Sequence, residues 1–268
     1  MRNDWRPLAK EVYLLAFVAT FLGGCVSPQT TPSQEEVKKI GQLRIVPIEA
    51  HPLGVPPGAR LAISGSGDAP VVPGINVVGM VLLFAQMPEM AERGGKMSGA
   101  LQAALNGKGV WVPTVALAEE AQAQLASHKW QVGAASEVKR LSDIEDRSYT
   151  VTMENWMAPI RAWYNSTDAV ADYRSLRSDQ RLYVIEVGII NYEITSGRLL
   201  LQVAMKLIDA ADGRVIGRAR AWPSWDDMPV VVPLDQAFAN EASRFKQAFK
   251  EMAKPLVMEC LTSLGLLR

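Results

Sequence analysis

Histidine and cysteine are scarce in this chain, which contains two of each among 268 residues. The two histidines, His51 and His128, cannot form a histidine-rich metal site, and neither stands in a recognisable nucleophile context. Cys25 and Cys260 are too few for a disulfide framework. The GxSxG, HExxH and CxxC motifs and paired-cysteine zinc spacings are also missing. The sequence therefore predicts a protein that is not an enzyme and holds no metal or cofactor.

The chain also lacks an excess of charge of either sign. Lysine plus arginine and aspartate plus glutamate each number 28, so the formal net charge is zero. No basic surplus points to nucleic acid, and no acidic surplus points to a cationic partner. Hydrophobic residues make up 49% of the chain, which is enough for a substantial core.

The N-terminus has the pattern of a secretion signal. Three basic residues stand among the first ten, and the apolar run from Val12 to Leu22 follows. This run is shorter than the roughly 20 apolar residues that a bilayer span needs. Leu22-Gly23-Gly24-Cys25 comes next and resembles the bacterial lipobox. The resemblance implies that residues 1–24 are removed as a signal peptide and that Cys25 carries acyl chains such as palmitate. An uncleaved anchor or an ordinary buried cysteine is the alternative.

The residues after Cys25 bear on localisation and domain organisation. Val26 rather than aspartate follows the cysteine, and by analogy with enterobacterial sorting this favours the outer membrane, periplasmic face. The segment from Val26 to Glu36 is polar and carries two prolines, which is typical of a flexible tether. We therefore expect residues 25–41 to tether a single periplasmic domain, residues 42–268, to the membrane.

The stretch from Arg181 to Trp222 predicts a meander of three antiparallel strands. Turn residues occur at Thr195–Gly197 and at Asp209–Gly213. The middle strand alternates, which places five apolar residues on one face: Leu199, Leu201, Val203, Met205 and Leu207. A later helix carries an apolar stripe that fits this face: Phe238, Phe245, Phe249 and Met252. The predicted fold is α/β (α+β), with a mainly antiparallel sheet covered by helices on one face.

Upstream elements are predicted from hydrophobic spacing. A first strand is expected from Gln42 to Ile48, where Pro47 is typical of a sheet edge. Helices are expected from Glu89 to Leu105 and from Thr114 to Ser127, with a short strand at Val110–Val112 between them. A further helix from Glu154 to Tyr164 carries an aromatic stripe, which is more often core or interface than a ligand site.

The strand, short Gly turn and strand pattern between Leu182 and Arg220, with Asp209 and Gly213 at its second turn, resembles a group of periplasmic α/β lipoprotein domains. This group includes the curli secretion-channel lipoprotein, the lipoprotein activators of peptidoglycan synthases and the amino-terminal domain of TolB. In these domains a C-terminal helix follows the hairpin. The resemblance implies a non-catalytic protein that docks, activates or assembles.

Arginines alternate on the third strand of the meander. Arg214, Arg218 and Arg220 share a face with Trp222, and Trp225 follows in a loop bounded by prolines. Arginine and tryptophan are enriched in binding hot spots, so this face is a candidate contact surface for an acidic partner or a glycan. A solvated sheet face is the alternative. The candidate contact residues are Arg218, Arg220, Trp222 and Trp225.

Glu186 is unusual because its neighbours in Tyr183–Ile190 are almost all apolar. We favour the interpretation that Glu186 lies on the solvent face of its strand. The alternative is an inward-facing carboxylate with a raised pKa.

Three functions follow, in order of preference. The first is a lipid-anchored outer-membrane protein that binds an envelope protein, or itself, as an assembly module. The second is a subunit of an oligomeric secretion channel, in which the uncharged stretch from Ala69 to Pro88 would enter a membrane; buried strands are the simpler interpretation of that stretch. The third is a cell-wall or glycan hydrolase that uses two carboxylates facing each other across a cleft.

Overall fold

The computed structural model describes residues 28–54, 98–107, 109–133, 137–142, 144, 153–176, 181–231 and 234–267. Cys25 and the stretch from Ala69 to Pro88 lie outside these residues, so the predictions made for them stay predictions. Within the described ranges, none of the helices combines the length and apolar character needed to cross a membrane.

In the part of the chain that the structure describes, four strands form one sheet in the order β1-β2-β3-β4. They are β1 (Gln42–Pro47), β2 (Leu182–Thr195), β3 (Arg198–Asp209) and β4 (Val215–Ala221). β1 pairs with β2 in parallel, and the other two pairs are antiparallel. The predicted meander, the mainly antiparallel sheet and the mixed α/β class are confirmed. Ser196 and Gly197, with φ of 49° and 73°, form the tight turn between β2 and β3.

Within the described residues, six helical segments accompany the sheet. They are α1 (Gln34–Lys38), α2 (residues 98–106), α3 (Pro113–Ser127), α4 (Met153–Asn165), α5 (Leu234–Ala237) and α6 (Ala239–Ser263). The short strand expected at residues 110–112 is wrong: these residues form no strand, and Val110 is 82% exposed. An exposed valine gains nothing from strand pairing here. The segment connects α2 to α3, and its Trp111 packs edge to face on Phe249 with ring centroids 5.7 Å apart.

The first core lies between one face of the sheet and helices α3 and α6. The five alternating apolar residues of β3 are all fully buried there, beside Phe245 and Phe249 of α6. Tyr192 of β2 contacts Phe249 edge to face, with ring centroids 5.8 Å apart. Burying each phenylalanine contributes roughly 1.5–3 kcal/mol. The predicted packing of the C-terminal aromatic stripe on β3 is confirmed.

A second core covers the opposite face of the sheet, for which no helical cover was expected. Helix α4 supplies Trp156, Ile160, Trp163 and Tyr164, each at most 5% exposed. These side chains pack on apolar residues that alternate with those of the first core: Val184, Ile190, Ala204 and Ile208. The expectation of helices on one face is therefore corrected, because the aromatic stripe of α4 buries the second face.

An irregularity in β2 decides which side chains point to which core. The pairing of β2 with β3 shifts by one residue between Ile189 and Asn191, which leaves Ile190 as the extra residue of a β-bulge. One inserted residue reverses the alternation of side chains along the strand. Below the bulge, Glu186 comes to lie directly opposite Lys206.

The N-terminal segment is ordered against the sheet from Thr30 onward, which corrects the flexible tether expected for this region. Thr30 and Arg218 exchange two backbone hydrogen bonds of 2.9 Å at the outer edge of β4. Helix α1 then starts at a capping box in which Ser33 Oγ accepts from the Glu36 amide and the Glu36 carboxylate accepts from the Ser33 amide. Pairing with this segment satisfies backbone groups that an edge strand would otherwise expose.

Gly217 packs directly against this N-terminal segment. We therefore expect Gly217→Ala to weaken the pairing of the segment with β4. A Cβ atom at Gly217 would lie 2.7 Å from Pro32 and 2.9 Å from Leu264. Overpacking of this kind costs about 1–3 kcal/mol. The measurement is hydrogen exchange at the Thr30 and Arg218 amides, which should become faster in the variant. Gly133→Ala is the matched control, because its Cβ would meet nothing closer than 3.8 Å. Unchanged exchange in Gly217→Ala would contradict the packing described here.

Candidate functional site

Two tryptophans stand out on the surface at one end of the sheet. Trp222 is 53% exposed and Trp225 is 51% exposed, although most large apolar side chains of the described residues are buried. A guanidinium lies over each ring: Arg220 Cζ is 5.3 Å from the centroid of Trp222, and Arg198 Cζ is 5.6 Å from that of Trp225. Contacts of this type are attractive by about 0.5–1 kcal/mol at exposed positions and restrain both partners.

Backbone pairing positions the loop that carries Trp225. The chain leaves β4 after Ala221 and turns back along the first residues of β3, where the Leu199 amide donates to the Pro229 carbonyl at 3.0 Å. Arg198 Nη1 also donates to the Met228 carbonyl at 2.7 Å, so this arginine both stacks on Trp225 and fastens the loop. Val230 follows in the same loop and is 59% exposed. We call Arg198, Arg220, Trp222, Trp225 and Val230 the Arg–Trp surface.

Arg218, a predicted contact residue, is engaged inside the protein. Its Nε donates to the Tyr164 carbonyl at 3.0 Å, and its Nη2 donates to the Ser166 carbonyl at 2.7 Å. These carbonyls belong to the last turn of α4 and the residue after it, where a cation is favourable because helix carbonyls lack partners. Arg218 therefore holds α4 on the sheet. Its neighbour Arg220 is the arginine of this strand that reaches an exposed indole.

The second core contains a buried ion pair that the favoured interpretation of the sequence missed. Glu186 and Lys206 are both fully buried, and Lys206 Nζ lies 3.5 Å from Glu186 Oε2. Glu186 was expected on a solvent face; that interpretation is wrong, because α4 and the chain after it cover this face. The alternation of β2 alone could not reveal the pair, since the bulge at Ile190 brings the two residues into register.

Every oxygen of the Glu186 carboxylate is occupied by protein donors. Oε2 accepts from Trp163 Nε1 at 2.7 Å, while Oε1 accepts from the Val170 amide at 2.6 Å and from the Tyr173 hydroxyl at 3.0 Å. Burial and the adjacent carboxylate raise the pKa of Tyr173 above its ordinary value, so its hydroxyl remains a donor. The carboxylate thus ties α4 and residues 170–173 to the sheet.

Lys206 is satisfied in the same way. Its Nζ donates to the Trp163 carbonyl at 3.0 Å and to the Asp168 carbonyl at 2.6 Å, besides facing Glu186. Burial lowers the pKa of Lys206, and the Glu186 carboxylate opposes this change. A pocket of about 390 Å³ opens beside Lys206, between Arg140 and α4. Since the ammonium is directed to protein carbonyls, it does not reach into this pocket as a free catalytic or binding group.

Gly188 leaves room for the ring of Trp163, because it has no side chain. We expect Gly188→Ala to destabilise the protein by about 1–3 kcal/mol. A Cβ atom at Gly188 would lie 2.5 Å from two ring carbons of Trp163. The ring cannot move aside freely, because its Nε1 is bonded to Glu186. Urea unfolding measures the effect. Gly109→Ala is the matched control, since nothing lies within 4 Å of its Cβ position; equal stability of the two variants would refute this packing.

The part of the chain that the structure describes contains no group of three or more histidine, cysteine, aspartate and glutamate residues arranged to hold a metal ion. Asp209, also buried, is bonded to Arg181. Cys260 is buried against the Val203 carbonyl, and burial raises the pKa of its thiol well above the ordinary value. Cys260 therefore has the character of an inert core residue.

Comparisons with known proteins find only low similarity. No protein-family model and no curated protein matches the chain. Among solved structures, the PelC dodecamer from Paraburkholderia phytofirmans is 12% identical, with a TM-score of 0.35 and coverage of 90% of this chain and 96% of that chain. Protein XCC0632 from Xanthomonas campestris, of the family DUF330, is 13% identical, with a TM-score of 0.29 and coverage of 89% and 92%. TM-scores this low carry no conclusion about fold or function.

Proposed function

We propose that this protein is an envelope lipoprotein, anchored by Cys25 at the periplasmic face of the outer membrane, that acts as a non-catalytic binding and assembly module. The observation that carries the proposal is the Arg–Trp surface. Two half-exposed indoles, each restrained by a guanidinium, form a pre-organised contact area at one end of the sheet. Because these side chains are restrained before binding, association costs less conformational entropy.

The predicted contact residues divide into two roles within this proposal. Arg220, Trp222 and Trp225 belong to the contact area, with Arg198 and Val230 added by the structure. Arg218 positions α4 behind it through the carbonyls of Tyr164 and Ser166. A substitution of Arg218 would therefore disturb the fold as well as the surface, which makes it a poor probe of binding.

The buried acids support a structural rather than a hydrolytic use of carboxylates. A glycan hydrolase needs two acids that face each other across an open cleft. Glu186 and Asp209, the acids fully buried in the described part of the chain, each lie against a cation instead. These two buried acids are therefore structural and do not form such a catalytic pair.

Site-specific photo-cross-linking in cells tests the proposal. A benzophenone amino acid at Val230 should give adducts with an envelope component, because this exposed position lies within the Arg–Trp surface. The same amino acid at Ala211, in the exposed turn at the other end of the sheet, is the matched control and should give none. Equal adducts at both positions would overturn the contact surface. Recovery of Cys25→Ser and the unaltered protein in the same soluble fraction would overturn the lipid anchor.

A further inference from the structure

We propose that the Arg–Trp surface rests on the membrane that holds the lipid anchor, with Trp222 and Trp225 at the level of the phospholipid headgroups. This inference deepens the proposed function and rests on the acylation of Cys25. It names the envelope component that the surface contacts: a phospholipid bilayer surface, rather than a protein partner.

The path of the N-terminal segment brings the anchor close to this surface. Thr30 pairs antiparallel with Arg218, so the chain before Thr30 points toward the end of β4 that carries Trp222. Gln29 Nε2 continues the contact by donating to the Arg220 carbonyl at 2.9 Å. The described chain thus begins beside the Arg–Trp surface, with Pro28 exposed to solvent.

The remaining length of chain is too short to hold the domain away from the bilayer. Cys25 precedes Pro28 by three residues, which span at most about 10 Å when fully extended. An acylated Cys25 lies at the boundary between headgroups and acyl chains, and the headgroup region on each side of a bilayer is itself several ångströms thick. The end of β4 is therefore held at the membrane surface by covalent geometry, whatever path those three residues follow.

The chemistry of the surface matches a headgroup layer. Indole rings combine a large apolar area with one N–H donor and accumulate at membrane–water interfaces, and guanidinium groups donate to phosphate oxygens. Trp222, Trp225 and Val230 are each more than half exposed, so all three can contact lipid without unfolding the loop.

Acidic residues in the same loop determine how strongly the membrane contact should depend on lipid charge. Asp226 and Asp227 are exposed beside Trp225, and Ser224 Oγ donates to Asp227 Oδ2 at 2.6 Å. Two acids offset the two arginines of the surface, so the charge of this end is close to balanced. We therefore expect the indoles to dominate the contact and its strength to depend little on the fraction of anionic lipid.

The experiment uses the full-length lipidated protein in vesicles of phosphatidylethanolamine and phosphatidylglycerol, part of whose acyl chains are brominated to quench nearby tryptophans. Wild-type protein should be quenched, and the double variant Trp222→Phe with Trp225→Phe should lose the quenching. Adding Ala211→Trp to the double variant introduces an indole at the far end of the sheet. That indole should fluoresce without quenching, which shows that proximity rather than accessibility is measured.

The possible outcomes distinguish a failure of this inference from a failure of the proposed function on which it rests. Flotation with the vesicles, compared between wild type and Cys25→Ser, tests the anchor. A wild-type protein that floats but is not quenched overturns the membrane contact and leaves the anchor standing. That result is expected if the Arg–Trp surface binds a protein partner instead of lipid. Equal quenching of wild type and double variant also overturns it. A wild-type protein that fails to float overturns the proposed anchor and, with it, this inference.

Discussion

Glu186→Leu should lower the free energy of unfolding by about 3–5 kcal/mol, because it leaves the ammonium group of Lys206 buried without its counter-charge. Both side chains are fully buried, and the two charged atoms lie 3.5 Å apart. The substitution also removes the acceptor of Trp163 Nε1, the Val170 amide and the Tyr173 hydroxyl. Urea unfolding at neutral pH measures the loss.

A second variant identifies the cause. Adding Lys206→Met to Glu186→Leu removes the unpaired charge, and pairs replaced by apolar side chains of similar size often regain stability. We therefore expect the double variant to be more stable than Glu186→Leu alone. Asp172→Asn is the control for charge removal as such, because Asp172 and Arg174 form an exposed pair and should matter little. A double variant less stable than the single one would contradict a cost that arises from the isolated ammonium.

The protein should lose about 3 kcal/mol of stability between pH 6.5 and pH 4 through His51 alone. His51 is 1% exposed, and its Nδ1 lies 2.7 Å from the Pro52 carbonyl oxygen. Burial lowers the pKa of His51 from 6.5 to about 4, although the backbone carbonyls of Pro52 and Ile190 oppose the shift. Between these values the unfolded chain binds a proton that the folded protein does not. Stability therefore falls as the pH falls through this window.

The measurement is the difference in pH dependence between wild type and His51→Gln, from urea unfolding at several pH values. The variant lacks the titrating group, so its stability should decline less between pH 6.5 and pH 4 than that of the wild type. His128→Gln, at an exposed position after the end of α3, is the matched control for the replacement of a histidine as such. Parallel slopes for wild type and His51→Gln would contradict this, because they would show that His51 binds a proton as readily in the folded protein as in the unfolded chain.

The three arginines in and just before β4 have different roles, and this affects the choice of variants for a binding experiment. Arg214 lies at the exposed start of the strand, 3.5 Å from Glu36, and Arg218 is committed to the carbonyls of α4. Arg220 alone of the three stacks on an exposed indole. The predicted alternation holds for Arg218 and Arg220. For Arg214 it is wrong, because the pairing of β3 with β4 shifts between Leu207 and Ile208 and leaves Ile216 as an extra residue, which puts Arg214 on the opposite face.

Local patterns in the sequence were sufficient to predict most of the architecture. The alternation of apolar residues in β3, the turn residues at Ser196–Gly197 and the aromatic stripe of α6 each depend on neighbours along the chain. Such periodicities are properties of a single strand, turn or helix, so the sequence displays them directly. The meander and its covering helix were predicted for this reason.

The folded protein alone decided which side chains share a face. Nothing in the residues near Ile190 marks a bulge, yet one extra residue there turns Glu186 toward Lys206 and places Tyr192 with the residues of the first core. The position of such a bulge depends on the packing of both halves of β2 against two different layers, α3 and α6 on one face and α4 on the other. Contacts between segments far apart in the chain also set the role of Arg218 and the course of residues 28–38, because a half-buried arginine or a short polar segment finds its partners only after the sheet has formed.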